Sequence, residues 1–103
     1  MTAAELGAAL QTVYETAYRQ FKTVQEPPFI CYYLESHDDL MADDENYLAI
    51  GDYLIELYTE DKDPTAEAAV EAKLTSLGLP FGKLETPIAS EQLYQVLYSV
   101  RLI

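Results

Sequence analysis

The chain has 103 residues, half of them hydrophobic, and its 18 acids against six bases give a formal charge of −12. This length fits one domain, residues 1–103, around a single core, and the apolar share excludes a disordered chain. Eleven acids and no Lys or Arg fall between Thr23 and Asp61; such a segment repels phosphate backbones and anionic lipid, so neither direct nucleic-acid binding nor membrane attachment is expected.

Thr2-Ala3-Ala4-Glu5 reads as a capping box. Leu6, Leu10, Val13, Ala17 and Phe21 follow at helical spacing, with Glu15 and Arg19 as an i,i+4 pair. The pattern predicts a helix over 3–21, stopped before Pro27-Pro28. Phe29 to Leu34 is short, apolar and aromatic, and predicts a strand. Ser36 to Asn46 is polar and acidic and predicts a loop.

Tyr47 to Glu60 predicts a second strand, with Tyr53, Ile55 and Leu57 on one face and Asp52, Glu56 and Glu60 on the wetter one. Gly51 marks an expected bulge or bend. The two strands form a hairpin with a long charged connection. Asp63-Pro64 starts a second helix, whose apolar stripe is Ala66, Ala69, Val70, Leu74 and Leu77 and whose cap is Gly78. Phe81 to Glu85 predicts a short edge strand. Gln92 to Leu102 predicts the last one, with Tyr94, Val96, Tyr98, Val100 and Leu102 facing the core. The expected fold class is α+β, two helices packed on a mainly antiparallel four-stranded sheet in the order α-β-β-α-β-β.

Parts for catalysis are sparse. His37 is the only histidine, so one chain supplies no multi-histidine zinc site. It stands beside Ser36 and Asp38 without a nucleophile elbow, and reads as a loop residue. Cys31 is the only cysteine, which excludes an internal disulfide and suits a reducing compartment; within a strand it reads as a buried hydrophobe. The acids Asp38, Asp39, Asp43, Asp44 and Glu45 lack the spacing and central glycine of a calcium loop. No metal, no cofactor and no enzymatic activity are expected. With no long apolar run and no basic start, the expected location is the cytosol or a particle assembled there.

Three segments carry a resemblance: Pro27-Pro28-Phe29-Ile30-Cys31-Tyr32-Tyr33-Leu34, Tyr53 to Asp63, and Glu91-Gln92-Leu93-Tyr94-Gln95-Val96-Leu97-Tyr98. In order and spacing the chain resembles small siphophage and prophage tail-completion proteins, that is, tail-terminator and head–tail joining proteins. The resemblance implies a virion structural role without catalytic residues. Its expected setting is a homo-oligomeric ring, commonly a hexamer, with the tail tube and head connector as partners, in the virion tail or head–tail junction after assembly in the host cytoplasm. Asp38, Asp39, Asp43, Asp44 and Glu45 then form an interaction loop, which lines the bore as a negative collar or orders on a partner; the sequence does not orient it. The competing class is an acidic binding module that imitates DNA towards a basic protein.

Overall fold

A computed structural model describes residues 1–37, 40–42, 45–48, 50–88 and 93–103. Thr2 caps α1 (Ala3–Gln11): its hydroxyl accepts from the Glu5 amide, and the Glu5 carboxylate accepts from the Thr2 amide. The helix ends ten residues before the predicted limit of residue 21. Thr12, Val13, Tyr14, Thr16 and Tyr18 favour extended backbone, and residues Glu15–Tyr18 form β1. The Gln11 side chain fixes this change of direction, donating to Glu15 and accepting from the Thr16 amide. The predicted Glu15–Arg19 helical pair is therefore absent. Arg19 itself has φ 70° and turns the chain out of β1.

β2 (Phe29–His37) pairs with β1 in parallel and with β5 (Gly51–Thr59) antiparallel. The expected hairpin is present, but its connection is not a plain loop. It contains β3 (Leu40–Ala42) and β4 (Glu45–Leu48), an antiparallel ribbon of its own in which Glu45 stands opposite Ala42. The predicted strand from Tyr47 is thus two strands. The register shift lies in β2 between Leu34 and Ser36, so the bulge falls on the partner strand and Gly51 opens β5.

Asp63 caps α2 (Pro64–Ser76) by accepting from the Ala66 amide, and Gly78 follows the helix at φ 71°. That left-handed conformation suits glycine and closes the helix. β6 (Phe81–Ile88) and β7 (Leu93–Leu102) complete the sheet. The strand order is β1-β2-β5-β7-β6, with β6 at an edge as expected. The class is α+β with two helices, but the main sheet has five strands and is mixed. The fifth strand is β1, which sequence periodicity had merged into the first helix.

Both helices pack on one face of the sheet. Leu6 and Leu10 of α1 and Ala66, Val70 and Leu74 of α2 close on Ile30, Tyr32, Ile55, Leu57, Val96, Tyr98, Val100 and Leu102. Phe81 packs edge-on against Tyr98 with ring centroids 5.4 Å apart. In β7 the predicted core positions from Val96 to Leu102 are all buried, while Ser99 and Arg101 are exposed. Tyr94 is only partly buried against the core.

Candidate functional site

Among the described residues, the opposite face of the sheet carries no helix. Strand register places its side chains in rows. Ala17, Cys31, Glu56, Leu97 and Leu84 form one row across all five strands. Tyr33, Leu54, Ser99 and Gly82 form the next; on the other side stand Glu15, Phe29, Tyr58, Gln95 and Thr86. A face of this composition, rich in leucine and tyrosine, is more apolar than a solvent face needs to be. Leu84 is 62% exposed on it.

The connection from β1 to β2 covers one end of this face. Phe21 meets Phe29 edge-on at 5.6 Å, and Phe29 stacks on Tyr58 at 4.9 Å. Residues Arg19 to Phe21 and Thr23 to Gln25 border a groove with Phe29, Cys31, Tyr58 and Leu93. Pro27-Pro28, a cis pair, leads back into β2. Val24 in this connection is fully exposed. Cys31 is buried, as expected, and burial followed by the nearby Glu56 charge pushes its thiol up to about 11. It stays protonated at neutral pH and is a poor nucleophile.

Glu56 departs from the expectation of a solvated carboxylate. It is half-buried near the middle of β5, the central strand, between Cys31 and Leu97. Desolvation raises its pKa, opposed by a hydrogen bond with Tyr58. Gln95 Nε2 donates to the Tyr58 hydroxyl at 2.9 Å and to Glu56 at 3.3 Å. Among the described residues, no cation pairs with it. Asp52 is handled differently: Arg101 Nε donates to it at 2.8 Å and lowers its pKa.

A second charged cluster fastens α2 to β6. Glu67 is 3% exposed, and its Oε1 lies 2.8 Å from both Lys62 Nζ and Lys83 Nζ. Lys83 also reaches Glu71, Lys62 also reaches Glu85, and the Tyr98 hydroxyl donates to Glu71 at 2.9 Å. Burial pushes Glu67 up, but the hydrogen bonds from Lys62 and Lys83 outweigh it, and its pKa is lowered. Glu71 is lowered chiefly by Lys83.

Both carboxyls therefore contribute stability that is complete above their unfolded pKa of about 4.3. That contribution is lost as pH falls through their lower folded values. The expected result is a fall in unfolding free energy as pH drops below about 5. It is read by urea titration, and is shallower in the Glu67→Gln/Glu71→Gln variant. An equal slope in both proteins would remove this cluster as its cause.

Of the sequence-predicted interaction residues, Asp38, Asp39, Asp43 and Asp44 lie outside the described residues, and Glu45 begins β4. His37 is the last residue of β2. Among the described residues, no three His, Cys, Asp or Glu side chains converge as metal ligands. No described helix is long and apolar enough to cross a membrane. Sequence reasoning missed the open face. Its one available signal was Leu54, Leu84 and Leu97 alternating with the core positions of three strands.

No family model and no curated protein matches the chain. Among solved structures, it is similar to a chain in the virion of a native gene transfer agent (GTA) particle. The TM-score is 0.55 at 19% identity, over 97% of this chain and 84% of that one. The likeness spans both helices and the main sheet, and at this identity it establishes a shared fold.

Proposed function

We propose that this chain is a structural subunit of a phage-like particle, acting at the tail or head–tail junction as a ring-forming tail-terminator or completion protein. The observation that carries the reading is the fold likeness to a virion chain over nearly the whole length. Two further features support it. The described residues offer an open apolar sheet face suited to protein contact, and the one thiol is buried and protonated at neutral pH. In this reading the chain is not an enzyme and takes no cofactor. Its partners are further copies of itself, commonly six in a ring, together with tail-tube and connector proteins.

The test is deletion of the gene in a strain that produces the particles, followed by electron microscopy and mass spectrometry of purified particles. Loss of the cap leaves tube ends free, so tails of uncontrolled length and unjoined heads are expected, with the protein present in wild-type particles. Normal, infectious particles from the deletion strain would refute the assignment. Binding of the purified chain to a basic nuclease instead would favour the DNA-imitating alternative.

A further inference from the structure

We infer that the open sheet face is the docking site for a second copy of this chain, which presents its helix layer, so that subunits stack front to back. The inference deepens the assembly reading above and rests on it for its setting. The strands supply 4, 9, 9, 10 and 8 residues. At roughly 3.3 Å per residue and 4.8 Å between strands, the whole face covers about 600 Å², and the β1–β2 connection already occupies its end at Phe29 and Tyr58. With that end covered, two such surfaces in contact bury somewhat less than about 1,200 Å², the range of weak or transient contacts, so association at high concentration is what the face supports.

Charge decides what covers it. β5 is the third of five strands, and Glu56 lies near its midpoint. A two-fold pairing of whole faces would bring two half-buried Glu56 carboxylates together, which low-dielectric surroundings penalise. The occupant must therefore be a different surface, one that brings a cation.

The chain has six bases. Arg101 holds Asp52, while Lys62 and Lys83 hold Glu67, Glu71 and Glu85. Arg19 lies over the Tyr18 and Tyr33 rings. Lys22 belongs to the connection that borders the open face itself. Lys73 is left: it makes no ion pair among the described residues and stands on the flank of α2, in its last turn. The outward residues beside it, Thr65, Ala68, Ala72, Thr75 and Ser76, are exposed, carry no acid and are small enough to let a sheet approach. Such a front-to-back contact is heterologous, and a heterologous contact closes into a ring or propagates. It places Lys73 of one copy against Glu56 of the next, as the neutralising partner that Glu56 lacks among the described residues.

The experiment uses the purified full chain and two charge reversals, Glu56→Lys and Lys73→Glu, with native mass spectrometry and sedimentation from about 1 µM to 1 mM. Thermal melts check that each variant folds; the Lys73 side chain makes no ion pair among the described residues. Wild-type chains are expected to associate, and each single reversal to weaken association at least tenfold. The double reversal restores it. So does an equimolar mixture of the two single variants, in assemblies alternating between them, because each front then meets a complementary back. A wild-type chain that stays monomeric to 1 mM overturns the inference, as does association indifferent to both reversals or a mixture that fails to recover. Any of these results leaves the particle assignment standing if the protein is found in purified particles. Absence from particles with alternating co-assembly intact would instead remove the assignment and keep the contact.

Discussion

Replacing Tyr98 by alanine is expected to lower the melting temperature by roughly 15–30 °C. Tyr98 is fully buried, packs edge-on against Phe81, and stands opposite Ile55 on β5 and Lys83 on β6. Removing an aromatic side chain from such a site costs about 3–5 kcal/mol, because the cavity adds to the lost transfer energy. One kcal/mol moves the midpoint of a domain this size by roughly 4–8 °C. Tyr98→Phe separates the two roles of the side chain. It keeps the ring and loses only the hydrogen bond to Glu71, which still holds Lys83. Because the acceptor is a carboxylate, about 1.5–3 kcal/mol is expected there. Calorimetry of both variants checks the claim, and equal losses would show that the hydroxyl, not the ring, dominates.

Gly7→Ala is the second large effect, and its sign opposes helix propensity. Alanine is the better helix former by about 1 kcal/mol. Here, however, a Cβ would overlap the Tyr32 hydroxyl and lie 2.7 Å from the ring carbon that bears it. Tyr32 is 9% exposed and meets Tyr18 edge-on with centroids 5.1 Å apart, so its ring retreats only by displacing Tyr18, which is itself 45% exposed. Either α1 lifts off the sheet or the tyrosine pair rearranges. Overpacking of this kind costs about 1–3 kcal/mol, and a net loss near 1–2 kcal/mol is expected in urea denaturation. Adding Tyr32→Phe removes the nearest atom and leaves the ring carbon in place, so partial recovery should follow. A Gly7→Ala protein more stable than wild type would show that the helix accommodates the methyl group.

These two sites also show what sequence alone reveals. Thr2 with Glu5, Asp63 with Pro64, and Gly78 act through neighbours within a few positions, so the helix starts and the second helix stop are legible in the chain. The alternation of β7 is legible for the same reason, since period two is a local property. The end of α1 is not. Leu6 and Leu10 are true helix positions, whereas Val13, Ala17 and Phe21 share their spacing by coincidence, and the intervening Thr12, Tyr14, Thr16 and Tyr18 prefer extended backbone. Placing β1 beside β2 needs a parallel contact that no local pattern announces. The open face is hidden more deeply. Leu54, Leu84 and Leu97 read as the wetter side of ordinary strands, and which side stays bare depends on where both helices land. Likewise Glu67 falls beside the apolar stripe of α2, and only the approach of Lys62 and Lys83 makes its burial tolerable.

The short edge strand β1 continues directly into the connection that lies over Phe29, Tyr58 and Cys31. β1 is hydrogen-bonded to a neighbouring strand on one side only, across four residues, whereas β5 is held on both sides across nine. Local opening therefore begins at β1, well below the free energy of global unfolding. Because strand and cover are one piece of chain, a fluctuation that frays the edge also draws Phe21 off the sheet. The amides of β2 that face β1 should then exchange with deuterium in step with the reactivity of the Cys31 thiol, making the outermost strand the shutter of the surface beneath it.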